Sequence, residues 1–112
     1  MLVFDTLDEL ESYEKLIPGF ISVIDVLDHS RPYDEGPGEY STGGKDPKKY
    51  VIDAFLSSKD GFQPPQYDSL VLEICLEGEE IINADGSVFR MAPGRFLIYD
   101  GCLNVKRGVM YT

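Results

Sequence analysis

Acids that stand among apolar residues are the first places to look for chemistry in this chain. In the stretch 69–77, Ser-Leu-Val-Leu-Glu-Ile-Cys-Leu-Glu, an extended backbone puts Leu70, Leu72, Ile74 and Leu76 on one side. Val71, Glu73 and Cys75 then fall on the other. A second acid, Asp53, interrupts the apolar stretch 50–56, Tyr-Val-Ile-Asp-Ala-Phe-Leu. Two carboxylates facing one another across a cavity can shuttle protons at the anomeric carbon or α-carbon of a sugar, or hold a hard cation through oxygen. The structural alternatives are an ion pair of Glu73 with Arg90 or Arg95, and for Asp53 an edge acid that discourages strand pairing.

Arg90, Arg95 and Lys106 are the cations expected nearest the mouth of a sheet structure built from these strands, and Tyr50 and Tyr99 are its candidate aromatic platforms. Guanidinium binds carboxylate in a two-pronged way and an aromatic ring stacks on a sugar face, so an arginine beside a tyrosine suits a carboxylated or hydroxylated small molecule. The competing explanation is surface charge and core aromatics. Cys75 needs a base to become a nucleophile, and the sole histidine, His29, sits in a loop. A structural thiol is the expectation there.

Composition narrows the classes. The chain has 112 residues, 43% of them hydrophobic, and 20 acids against 10 Lys and Arg give a net charge of −10. A chain of this length buries roughly two-thirds of its unfolded surface, enough for one core without disulfides. A net negative charge of this size opposes nucleic acid and anionic membrane. Two cysteines, Cys75 and Cys102, without CxxC spacing read as free thiols in a reducing compartment. An acid at Asp5 and the absence of a long apolar run argue against a leader or membrane span. A cytoplasmic protein is expected.

The elements that must position these residues change character along the chain. Asp5-Thr6-Leu7-Asp8-Glu9 has the form of a capping box, and Leu7, Leu10, Tyr13 and Ile17 then share one face. Pro18-Gly19 breaks that helix. Phe20, Val23, Ile24 and Leu27 make a second, short amphipathic helix, followed by a turn-rich loop over 29–37. Residues 45–49 read as a solvated loop. The segments 49–56, 69–77, 80–84, 87–91, 95–99 and 104–111 are short, β-prone and separated by Gly, Pro and Asp. Asp85-Gly86 is a hairpin signal, Ala92-Pro93-Gly94 a sharp corner, and Glu77-Gly78-Glu79-Glu80 a charged turn. The expected architecture is mainly β, a single domain over 1–112 with a helical segment at 1–29 and a β-barrel at 38–112.

Three stretches also carry a family likeness. Residues 4–13 (FDTLDELESY), 76–80 (LEGEE) and 92–99 (APGRFLIY) resemble, in order and context, the YhcH/YjgK/YiaL family, which includes the small subunit of evolved β-galactosidase. The resemblance implies a cupin-like double-stranded β-helix, a jelly-roll barrel preceded by two short helices, with ties to sugar metabolism. It puts the Glu73 side of its strand on the barrel lumen, where desolvation raises a carboxylate pKa toward the range useful for acid–base work. It also makes Asp53 a second pocket acid. The family's histidines fall on Gln66 and near Asn104 or Val105 in this chain, so no multi-histidine metal site is expected. The functional expectation is binding of a small neutral sugar or sugar acid, or an accessory role, without a cofactor. Arg90, Arg95, Tyr99, Tyr50 and Gln66 are the binding candidates. The alternative is a carbohydrate isomerase, anomerase or epimerase with Glu73 and Asp53 as acid and base. A homodimer formed through an uncovered edge strand is a further expectation.

Overall fold

The computed structural model describes residues 1–29, 31–43 and 47–110. Lys45 and Asp46 of the loop expected at 45–49, and Tyr111 of the last expected strand, lie outside them. The strands are β1 (Leu2–Thr6), β2 (Gly38–Ser41), β3 (Lys49–Ile52), β4 (Leu70–Ile74), β5 (Glu80–Ala84), β6 (Ser87–Met91), β7 (Arg95–Asp100) and β8 (Val105–Val109). A 3-10 helix spans Leu7–Leu16, α1 spans Phe20–Asp28, and α2 is the single turn Arg31–Asp34. The chain divides into two compact units, one of Met1–Asp8 with Phe55–Thr112, the other of Glu9–Ala54.

The first unit holds two three-stranded antiparallel sheets, ordered β1-β7-β4 and β6-β5-β8. Alternation along β7 turns Leu97 and Tyr99 toward the second sheet, where they join Ile82 and Ala84 of β5, Met91 of β6 and Val105 of β8 in one buried cluster. Phe4, Val71, Cys75, Phe89 and Leu103 pack around it. The rings of Phe4 and Phe89 lie 5.0 Å apart between centroids. Burying one such side chain stabilises by about 1.5–3 kcal/mol, so this inter-sheet layer is the unit's main cohesive element. The Asp85-Gly86 signal is realised as the β5–β6 turn, with both residues at positive φ (50° and 93°). Asn83 Oδ1 accepts from the Gly86 N–H at 2.9 Å and holds the turn closed.

The second unit carries the rest. Apolar residues at intervals of three, Leu7, Leu10 and Tyr13, match the three-residue turn of a 3-10 helix, which is what forms. Gly19, at φ 78°, turns the chain into α1, which buries Phe20, Ile24 and Val26. β2 and β3 form a separate hairpin in which Tyr40 stacks on Tyr50 at 5.3 Å.

The jelly-roll expectation is therefore corrected. The fold is mixed α and β, with three helices and three separate open sheets among the described residues, and it is no closed cupin-like barrel. Closure requires each strand to be bonded on both sides, yet β1 and β4 border the first sheet with one neighbour each. The stretch expected as a strand at 49–56 ends at Ile52. The chain from there to β4 contains Pro64-Pro65, which cannot donate to a ladder, and its strand pairing with β8 is by isolated bridges at Ser58 and Phe62 rather than a continuous ladder. The N-terminus differs too. Residues expected as a helix cap form β1, paired with β7 from Leu2↔Tyr99 to Thr6↔Arg95.

Candidate binding site

One group of polar side chains is built into the layer between the two sheets of the first unit. Glu73 projects from β4 on the face shared with Val71 and Cys75, as alternation predicts. Its Oε1 accepts a 2.7 Å hydrogen bond from the Tyr99 hydroxyl on neighbouring β7. From the opposite sheet, Arg107 of β8 approaches the same oxygen, with Nη1 at 3.5 Å. Its other terminal nitrogen, Nη2, lies 3.5 Å from Glu80 Oε1 at the start of β5. Glu80 Oε2 in turn accepts from the Gly108 N–H at 2.6 Å. The side chains of Glu73 and Glu80 are only 10% and 8% exposed, against 22% for Arg107.

A backbone irregularity makes this arrangement possible. Ile81 pairs with Val109 but Asn83 pairs with Lys106, so β8 carries one residue more than β5 over the interval. Such a bulge bends the strand and re-aims its side chains. Here Gly108, at φ 70°, turns its N–H out of the ladder and onto the Glu80 carboxylate. A Cβ at Gly108 would come within 2.8 Å of the Phe55 ring and 3.0 Å of the Phe62 ring, so glycine is required on two counts. Those rings flank the guanidinium, with Arg107 Cζ 4.8 Å from the Phe55 centroid and 5.7 Å from that of Phe62. Both rings are more than a third exposed. The cluster thus meets solvent at Arg107 and the two rings, and closes at Glu73 and Glu80.

The electrostatics follow from burial. Desolvation pushes the Glu80 carboxyl up. Arg107 and the Gly108 N–H pull it down without cancelling the rise, and Glu73 adds to it. Burial, then the charge of Glu73, drives the Tyr99 phenol far above its ordinary value, so it stays protonated and acts as donor. The Cys75 thiol is also raised, first by burial and then by Glu80. It donates to the Glu77 and Gly78 carbonyls at 3.2 and 3.4 Å, the environment of an inert thiol. Among the described residues, two side-chain polar atoms are buried without a hydrogen bond: Glu73 Oε2, an acceptor, and Arg107 Nε, a donor. Buried polar groups are nearly always paired, and an exception calls for a specific explanation.

The remaining sequence candidates lie elsewhere. Asp53 follows β3 in the second unit, exposed, with its Oδ1 accepting from the Ala54 N–H at 2.9 Å. Tyr50, in the same unit, donates to Glu35 through a very short hydrogen bond. Arg90 pairs with Glu79 at 2.9 Å on a half-exposed surface, and Arg95 donates to the Arg90 carbonyl at 2.9 Å. Gln66 donates to the Cys102 carbonyl at 3.2 Å. Cys102 lines a groove of about 370 Å³ with Tyr67, Asp68 and Asp100. Lys106 is exposed on β8. His29 terminates α1, its Nδ1 lying 2.6 Å from the Asp25 carbonyl. Of the named candidates, Glu73 and Tyr99 come together in the cluster, and Arg90 and Arg95 meet apart from it.

Glu80, Arg107, Phe55 and Phe62 were not anticipated. The signal for the first two was present in the alternation that places Glu80 with Ile82 and Ala84, and Arg107 with Val105. Among the described residues no group of three or more His, Cys, Asp or Glu side chains converges as a metal cluster.

Comparison with protein-family models, curated proteins and solved structures returned no match. The three sequence segments noted above have no family-level likeness to accompany them, and the chemistry of the cluster is read from its own geometry.

Proposed function

We propose that the first unit is a binding module for a small hydroxylated molecule, docked against Phe55 and Phe62 with polar contacts from Arg107 and Glu73. The observation that supports this reading is the Arg107 guanidinium, partly exposed and set against the rings of Phe55 and Phe62, which are themselves more than a third exposed. A guanidinium N–H donates to the oxygen of a hydroxyl group. An aromatic wall matches the apolar face of a sugar ring. The resemblance of the three segments adds carbohydrates as the first class to try. The test is ligand-observed NMR with a panel of neutral monosaccharides and acyclic polyols. Binding that is lost in Arg107→Met, with the fold intact by circular dichroism, supports the reading; no binding by any member of the panel overturns it.

A catalytic reading has one observation in its favour. Glu80 and Glu73 flank one arginine, and the raised Glu80 carboxyl is an acid beside a carboxylate that accepts from Tyr99. Acceleration of aldose mutarotation or isomerisation that disappears in Glu80→Gln would favour this second reading over simple binding.

A further inference from the structure

The charges of the Glu73–Glu80–Arg107 cluster do not sum to zero. Two carboxylates, 10% and 8% exposed, face the terminal nitrogens of one guanidinium at 3.5 Å, and among the described residues no second cation pairs with either. The other groups around Glu80 bring no positive charge. From β7 the Tyr99 phenol donates to Glu73, and from β4 the Cys75 thiol donates to backbone carbonyls. β6 sets the apolar Met91 opposite Glu80 in register, and the neighbouring Glu79 carboxylate is paired with Arg90. An uncompensated charge is expensive to bury, so an acid in this position holds its proton instead. Burial raises the Glu80 carboxyl most; Arg107 pulls it down and Glu73 pushes it up again. A proton needs no cavity beside it, which fits a cluster in which Glu73 Oε2 and Arg107 Nε are closed to solvent.

Loss of that proton leaves one negative charge to be hydrated, and water comes nearest to it at Arg107. There Phe55 and Phe62 lie against the guanidinium, each more than a third exposed. Both rings belong to the segment 55–62, which β8 holds lightly. Ser58 N–H donates to the Gly108 carbonyl, Met110 N–H donates to the Ser58 carbonyl, and Phe62 and Arg107 exchange two backbone bonds. These are isolated bridges and no continuous ladder. Between and beside them Leu56 is 94% exposed, and the segment's own charges, Lys59 and Asp60, are exposed as well. A stretch with few buried apolar contacts and few backbone bonds opens at a lower free energy than the sheets it lies on.

We propose that residues 55–62 form a proton-controlled strap, seated on β8 while Glu80 is protonated and lifted when Glu80 ionises, so that water reaches the Glu73–Glu80 pair. Arg107 couples the two events, since its terminal nitrogens face both acids and its Cζ lies against both rings. Lifting uncovers the outer rim of β8. The strap works without a ligand, so it stands or falls apart from the binding reading.

The test follows the full chain by NMR from mildly acidic to mildly alkaline solution. It reads the isotope-labelled glutamate carboxyl carbons, the contacts of the Phe55 and Phe62 rings to Arg107, and the Phe4–Phe89 contact as the control for an intact fold. The ring contacts to Arg107 are expected to fade with the same midpoint as the Glu80 carboxyl signal, above the ordinary carboxylate range, while the Phe4–Phe89 contact persists. Between the ordinary and the raised value, loss of one proton increases the ratio of lifted to seated strap by up to about tenfold per pH unit. Glu80→Gln, which cannot ionise, is expected to keep the strap seated throughout; should that variant fail to fold, the shared midpoint in the unaltered chain decides. Ring contacts that survive ionisation of Glu80, fade at a different midpoint, or fade equally in folded Glu80→Gln overturn the proposal. Their loss together with the Phe4–Phe89 contact overturns it too, because the whole unit has then unfolded. So does a Glu80 carboxyl that ionises at the ordinary value, or not at all over the range.

Discussion

Tyr99 and Glu73 are joined by a 2.7 Å hydrogen bond between adjacent strands of one sheet, and the same Glu73 oxygen faces Arg107 from the other sheet. The phenol thus holds the carboxylate from within its own sheet while the cation approaches from the other. Tyr99→Phe keeps the ring in the core and removes only the donor. The expected loss is about 1.5–3 kcal/mol, that of a hydrogen bond to a charged group, read as a lowered urea midpoint with an unchanged slope.

Arg107 separates two buried acids. Arg107→Met keeps most of the side-chain volume but leaves Glu73 and Glu80 without their shared cation. Removing one partner of a buried ion pair typically destabilises by about 3–5 kcal/mol. Urea denaturation is expected to show a loss of this order at neutral pH and a smaller one in mild acid, where a carboxyl takes up a proton instead.

Glu80 gives stability a pH dependence of known sign. Its carboxyl titrates higher in the folded chain than in the unfolded one, so the folded state holds the proton more tightly. Stability from this group is therefore present at low pH and declines as pH rises from the ordinary carboxylate range through the raised value. Glu80→Gln is expected to flatten that decline when urea midpoints are compared between mildly acidic and neutral solution. An unchanged slope would show that other carboxyls dominate the window.

Gly108 is the residue least able to change. A side chain there meets both a positive φ of 70° and two aromatic rings. Gly108→Ala is expected to destabilise by about 1–3 kcal/mol, the usual range for backbone strain, and to displace Phe55 or Phe62. Loss of their ring NMR contacts to Arg107 is the local readout, separable from global stability.

The two cysteines are expected to react at very different rates. Cys102 is exposed, whereas Cys75 is half-buried with a raised thiol pKa and both nearby carbonyls accepting from it. A thiol reagent at neutral pH should label one equivalent promptly and the second about tenfold or more slowly, since the thiolate is the reactive form. Mass spectrometry of the early product should place the label on Cys102.

Much of the strand content was legible because its signals are local. The Asp85-Gly86 turn, the corner before Arg95 and the side of β4 that carries Glu73 all follow from turn chemistry and two-residue alternation. Sheet closure was not legible, because it depends on what the irregular chain between Ile52 and Leu70 does. Half of the site was lost for a related reason. Glu80 was placed at the start of the 80–84 strand, but its count as part of the charged turn 77–80 drew attention from its side of that strand, which it shares with Ile82 and Ala84. On β8 the cation singled out was Lys106, one residue from the inward-facing Arg107. Asp53 stood out only because it was placed inside a strand that in fact ends at Ile52.

The irregular stretch that seats Phe55 and Phe62 has an additional effect. Ser58 donates to the Gly108 carbonyl at 3.0 Å, and Phe62 and Arg107 exchange two backbone bonds at 2.9 Å along the outer rim of β8. A bare strand rim is a template on which another chain can assemble, and the prolines at 64 and 65, just past this segment, cannot extend the ladder further. Residues 58–62 therefore work as a blunt end-stop. They occupy the rim beside the buried charges, whereas β6, with its exposed Val88, borders the same sheet with its outer rim unpaired in that sheet.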